Sequence, residues 1–515
     1  MLKRYTASAD NTIVNAFEPN LRTRATGANT GLADVLEVYS IYGRQYTGSQ
    51  ELSRILIKFP ITDISADRTS GTVPASGSVS FYLRLFNAPT SKTVPKDFRL
   101  VANPMKSPWQ EGVGLDLETY QDETKGNEGS NWMSASSTSS WNSVSGGADW
   151  LSSSADYRYE QLFRVGTENL EINITPLVER WIKGSGGGGI ANYGIGIKLT
   201  SSQEAFGTAS SGDAQSVQNI KDGATKSYYT KRFFARGTQY FYSRPVIEAR
   251  WDSTTRDDRG NFFFSSSRAP AADNLNTLYF YNYVRGRLVN LPNVGTGLIR
   301  VSLYSGSLYN THPSGSKLSL YDSKPNMTGG WVSTGIYSCS IGIDSSSHTT
   351  LYDVWHSQSA GGSTVTEYFT GSIIPSLFGG GSNHSLPSRV LNITNLQNKY
   401  RSDQTARLNL FVRDRNWSPN TYTRVVSSVR STAIVSASYR VFRMLDGYEA
   451  VPYGTGSDFH TGLSYDVSGN YFDLDMNLLE PGYAYGLRFS FYDEELDSWE
   501  EQSETFKFRV ENYEY

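Results

Sequence analysis

Short runs with a period of two residues dominate this chain and most constrain its fold. Residues 79–86 set Val79, Phe81, Leu83 and Leu85 on one face, and 54–59, 193–199 and 245–251 read as strands of the same kind. Successive side chains of a strand point to opposite faces, so each run describes a half-buried strand. Gly, Ser, Asn and Asp fill the spaces between runs and supply the turns. The one segment with a helical period is 174–182. There Thr175 is placed to cap, Pro176 takes the first helical position, and Leu177, Val178, Trp181 and Ile182 make an apolar face. The glycines at 186–189 follow as a flexible turn. Many short strands with such loops predict an all-β fold of tandem β-sandwich or jelly-roll domains, with one short helix in the first.

At 515 residues the chain exceeds what one core organises. The hydrophobic fraction is only 38%, yet 34 Tyr, 24 Phe and 10 Trp give aromatic mass that a packed structure must bury, which excludes a disordered chain. The strand pattern lapses near 252–273 and weakens again near 430–437. The expected division is therefore a jelly-roll β-sandwich at 1–252, a linker at 253–274, a second β-sandwich at 275–432, and a small acidic immunoglobulin-like β-domain at 433–515. Residues 121–153 and 201–226, rich in Ser, Gly, Asn and Asp, read as long surface loops. Residues 441–515 carry 16 Asp and Glu against 4 Lys and Arg, whereas the chain as a whole is near neutral at −3. Charge so divided suits an acidic end that docks on a basic surface of a neighbouring subunit.

Residues 1–6 have no apolar core of a secretory signal, and no run approaches the 18 or so apolar residues of a membrane-spanning helix. The single cysteine, Cys339, cannot form an intramolecular disulfide. A protein made in the cytoplasm and working in an extracellular particle has this profile.

Several phrases of the first 252 residues resemble the DNRLRE-type β-sandwich modules of secreted microbial proteins and some virion proteins. They are Ala9-Asp10-Asn11-Thr12-Ile13-Val14, Gly31 to Val38, Ser53 to Phe59, Trp109-Gln110-Glu111-Gly112, the 174–182 helix with Asn192 to Ile197, and Ser243 to Ala249. The resemblance implies a jelly-roll-like fold without catalytic machinery. Residues 253–515 resemble the strand-and-loop chains of tailed-phage virion proteins of marine-phage type, in Asn276 to Tyr281, Leu463 to Leu474, Leu479 to Tyr483 and Phe506 to Glu511.

Catalytic patterns are sparse. His312, His348, His356, His384 and His460 are dispersed, and none stands at a metal-ligand spacing from another or from Cys339. No GxSxG, HExxH or Walker-type sequence occurs. Glu111 with Asp116, or the Asp493-Glu494-Glu495 cluster, offers paired carboxylates, but a glycoside hydrolase needs a separation of about 5 to 9.5 Å that sequence does not set. Asp10, Asn11, Asp34 and Glu37 are oxygen ligands of the kind calcium takes, without the dense spacing of a dedicated loop. Trp109, Trp132, Trp141 and Trp150 stand in polar surroundings, where an exposed ring stacks on a sugar; the first three are the candidate glycan contacts. Residues 226–236 interleave basic and aromatic side chains as nucleic-acid surfaces do, but strand alternation explains them equally.

The expectation from sequence is a non-enzymatic structural component of a tailed-bacteriophage virion, in the tail, neck or capsid decoration. Its partners would be other virion proteins and further copies of itself, with no cofactor, nucleic acid or membrane. Asp493, Glu494, Glu495, Glu500 and Glu501 are the candidate assembly contacts. The alternative is a carbohydrate-binding or adhesive module for a host surface glycan, and a polysaccharide-degrading enzyme comes third.

Overall fold

In the computed structural model the alternation at 79–86 becomes the strand Ser80–Leu85, with Phe81, Leu83 and Leu85 fully buried. The structure describes residues 1–16, 25, 27–42, 49–91, 93–115, 128–143, 146–152, 155–204, 227–266, 270, 274–309, 312–343, 347–358, 365–376, 389–415, 421, 431–454, 458–493 and 497–512. The chain divides into two units, Met1–Asp252 with Thr455–His460, and Ser253–Gly454 with Thr461–Tyr515. Strands dominate both, in sheets that among the described strands are antiparallel except where Lys399–Arg401 pairs with Phe506–Glu511, so the fold is all-β.

The first unit is a two-sheet sandwich. One sheet is ordered Leu2–Thr6, Val246–Arg250, Ser80–Leu85 and Leu170–Asn173. The other runs Tyr228–Phe234, Val35–Tyr42, Ser49–Lys58, Ile195–Leu199, Phe98–Pro104 and Tyr159–Phe163, with Ala9–Asn15 also paired to Ser49–Lys58. Between them Phe81 and Leu83 meet Ile55, Ile57, Leu100 and Ile197 in one core. The expected helix forms at Thr175–Lys183 and buries Leu177, Val178 and Trp181 in that core, each contributing about 1.5–3 kcal/mol of burial. Thr175 does not cap it: its hydroxyl accepts from the Phe81 backbone N–H at 2.8 Å and ties the helix to the sheet instead. A helix that the sequence pattern did not announce spans Ile61–Ser70. Ile61 and Ile64 are its only buried residues, and Gly71 closes it at φ 80°, in the left-handed region. Arg68 of this helix forms a bidentate pair with Glu179 of the other, both bonds at 2.6 Å.

In the second unit a six-stranded sheet is ordered Asn276–Tyr281, Ile336–Ile341, Met327–Ser333, Ile299–Tyr304, Leu351–Gln358 and Val365–Ile373. Phe280 in the first strand stacks on Phe369 in the last, 5.4 Å between centroids, so the sheet curls back on itself around Phe262 and Trp355. Residues 253–274, expected as a linker, belong partly to this packing. Phe262 is fully buried, Asp258 accepts the Thr277 N–H at 2.6 Å, and Arg256 bridges to Tyr465.

A C-terminal sandwich follows. Its sheets are Arg389–Ile393, Thr405–Asp414, Gly469–Asp475 and Ser464–Asp466 on one side. On the other are Lys399–Arg401, Phe506–Glu511, Ala484–Asp493, Ala437–Arg443 and Glu449–Val451, with Ser498–Glu501 on the far half of Ala484–Asp493. The expected division at 432/433 does not follow the strand pairing. Thr405–Asp414 lies against Gly469–Asp475 and shares its core through Leu408 and Phe472, so strands on both sides of that line build one sandwich.

Candidate functional site

Two of the tryptophans proposed as sugar platforms, Trp132 and Trp141, are interior. Leu52 and Leu56 alternate with Ile55 and Ile57 and so point to the opposite face of the seven-stranded sheet. On that face they meet Trp132 and Trp141, both buried, together with Ile13 and Met105 in a second core. Trp109 is half-buried against it. Its indole N–H donates to the Tyr193 carbonyl at 2.7 Å, and that of Trp141 to the Asn131 carbonyl at 2.9 Å. Trp132 and Trp141 therefore have no face to offer a ligand, which corrects their assignment as glycan contacts. Residues 128–143 and 146–152 correspondingly pack on the sheet, where a surface loop was expected.

Arg54 passes through this second core. Its guanidinium lies 4.9 Å from the Trp132 ring centroid and 5.7 Å from that of Trp150, and pairs with both oxygens of buried Glu204 at 2.9 and 2.8 Å. A further bond goes to the Gly147 carbonyl. Gly147 has φ 76° and no room for a side chain, since a Cβ would stand 2.4 Å from Arg54 Nη1. Burial, and then the Arg54 charge, lower the neighbouring Lys198 ammonium to about 8. A second charged knot surrounds Glu248. Arg4, Arg84 and Arg250 donate to it at 2.8, 2.9 and 2.7 Å. Burial alone would raise this carboxyl; the three guanidinium groups hold it far below the usual carboxylate range.

Asp34 is exposed, and the other three calcium candidates are engaged within the protein. Asp10 is buried and accepts from the Arg236 backbone N–H, Asn11 donates to the Ser130 carbonyl, and Glu37 pairs with Arg232. Burial pushes the Asp10 carboxyl up to about 6. Glu111 is held by Arg236 through bonds of 2.9 Å to each oxygen; Asp116, proposed as its partner, lies outside the described residues. Among the described residues no three His, Cys, Asp or Glu side chains converge as a metal site would require.

Sequence reading missed one Ser–His contact, because Ser302 and His356 are distant in the chain and meet only through strand register. His356 Nε2 lies 3.0 Å from Ser302 Oγ, but both residues are buried. Asp353, on the same strand as His356, is occupied by Arg259, at 2.5 and 2.7 Å, and by the Trp355 N–H. Glu367 stands opposite His356 across the strands, but burial of both Ser302 and His356 leaves the pair no path to a substrate. Burial likewise pushes the Cys339 thiol up to about 12, which makes it a poor nucleophile.

One open concavity among the described residues is a cleft of about 640 Å³ in the second unit, lined by Asp257, Asn261, Phe411, Thr432, Asp466 and Ser468 among others. Burial pushes the Asp257 carboxyl up to about 6, against the opposing charge of Arg259. Amide, hydroxyl and carboxyl groups beside the rings of Phe411 and Tyr465 suit a hydroxyl-rich guest, and no His or Cys is among its lining residues.

The acidic assembly candidates separate into two kinds. Glu501 is engaged internally by Arg440 at 2.7 Å, Arg488 at 3.3 Å and the Tyr453 hydroxyl at 3.1 Å. Glu500, next to it on the exposed strand Ser498–Glu501, points to the other face, and Asp493 ends the partner strand. Glu494 and Glu495 lie outside the described residues. No family model and no curated protein matches this chain.

Proposed function

We propose that this chain is a structural component of a tailed-bacteriophage virion, in the tail, neck or capsid decoration, and that it works through contacts between subunits and not through bond chemistry. Its first unit is read as a DNRLRE-type module. One observation carries the reading. Three buried carboxylates, Glu204, Glu248 and Asp353, are each saturated by arginine. Such knots fix side chains and backbone in one arrangement, which favours a load-transmitting scaffold over a turnover cycle. The test is mass spectrometry of density-purified particles with immunogold labelling by antibody to the purified chain. Peptides at a constant copy number per particle, and gold at one position on it, are expected; particles free of the chain overturn the proposal.

The cleft favours a second reading, binding of a host surface glycan. The binding surface would be Phe411 with the Asp257, Thr432 and Ser468 groups, and not the buried Trp132 and Trp141. A glycan array with the purified chain tests it, and Phe411→Ala should abolish any signal.

A further inference from the structure

Exposed apolar side chains gather at one end of the six-stranded sheet. Tyr283 and Val284 lie on a two-stranded ribbon, Tyr283–Val284 with Arg287–Leu288. Beside it stand Leu298, 73% exposed, and Trp331 and Val332 from the Met327–Ser333 strand. Asn290 joins these parts: its Oδ1 accepts from the Trp331 indole at 3.2 Å and from the Gly335 N–H at 2.7 Å. The ribbon turns at Arg285 and Gly286, with φ of 51° and 77°. Such a turn normally takes Asn, Asp or Gly at its first position, so an arginine there bears a conformational cost. Arg285 and Arg287 are both exposed, and neither is held by a carboxylate among the described residues. The patch is therefore a basic tip on an apolar base, of a kind that marks interaction sites.

Its complement is on the same unit. Among the described residues Ser498–Glu501 pairs on one side only, with Ala484–Asp493, and all four of its residues are exposed. Trp499 is 47% exposed and packs on Tyr492 at 5.6 Å, with Glu500 beside it and Asp497 before it. This is an acidic strand edge with an aromatic at its centre.

We infer that the Tyr283–Leu288 ribbon of one copy docks on the Ser498–Glu501 edge of a second copy, with Arg285 and Arg287 facing Asp497 and Glu500 and the apolar base covering Trp499. The two surfaces differ, so the contact is head-to-tail, and repetition generates a ring or a filament. The inference names the partner surface for the structural role proposed above and rests on that reading for its biological setting. Self-association in solution is measured independently of particle composition, so either can fail without the other.

The test is sedimentation velocity of the purified full chain over a range of concentration and salt. The parent chain should associate at low ionic strength and dissociate as salt screens the contact. R285E/R287E and D497K/E500K should each weaken association at least about tenfold, with circular dichroism reporting the fold and E500K alone replacing the second variant where the double change does not fold. Mixing the two variants pairs a reversed tip with a reversed edge and should restore assemblies that neither forms alone. A parent chain that stays monomeric at every concentration overturns the inference, as does association untouched by reversal, or a mixture that stays monomeric.

Discussion

In the first unit Arg54 and Glu204 meet beside Trp132 and Trp150, and three arginines enclose Glu248. In the second, Arg285, Arg287 and Glu500 stand in solvent beside Trp331 and Trp499. The same residue types, arginine, glutamate and tryptophan, do opposite work. Buried and saturated, they lock a fold, because removing one partner strands a charge in a low-dielectric interior. Exposed on a ribbon and a strand edge, they add little to stability and stay within reach of another surface.

The contrast can be broken by substitution. Trp132→Ala should destabilise the first unit by about 5 kcal/mol, the upper end for a buried aromatic, because Arg54 loses its ring as well as the core its volume. Glu248→Gln should cost about 3–4 kcal/mol by leaving three arginines facing a neutral group. Urea unfolding of the full chain reads both, and an equal loss for either in the second unit's transition would erase the distinction.

Asp10 and Asp257 sharpen the comparison through pH, since each unit holds one carboxyl raised by burial from 3.8 to about 6. Within that window the unfolded chain releases a proton that the folded chain keeps. Stability from these groups is therefore highest below the unfolded pKa, falls as pH rises from 3.8 to about 6, and stays level above. Asp10→Asn and Asp257→Asn should each remove part of that fall, on the order of 1–2 kcal/mol, in thermal melts at matched pH values. At the small end, Arg285→Ala and Trp499→Ala should shift the melting free energy by less than about 0.5 kcal/mol. A larger shift would place these residues with the locked group.

The faces of the strands were legible because their signal is local. Phe81, Leu83 and Leu85 lie one strand period apart and are buried, and Leu177, Val178 and Trp181 form the helix face the spacing predicts. What escaped depends on distant partners. Trp132 and Trp141 sit among Ser, Asn and Gly, and only the alternation of Leu52 and Leu56 onto a second face of the sheet gives them something to cover. Thr405–Asp414 finds Gly469–Asp475 more than fifty residues later, so no local lapse in pattern marks the edge of that sandwich. The Ile61–Ser70 helix carries two buried isoleucines and little else, too weak a stripe to stand out.

The parallel pairing of Lys399–Arg401 with Phe506–Glu511 also sets a clock. A strand emerging early from the ribosome must wait for one made about a hundred residues later before its sheet is whole, and domains fold as their chain is released. Ser498–Glu501 sits between them in order of synthesis, on a sheet still missing its last strand. The sheet behind that edge is therefore whole only when Phe506–Glu511 has taken its place between Lys399–Arg401 and Ala484–Asp493.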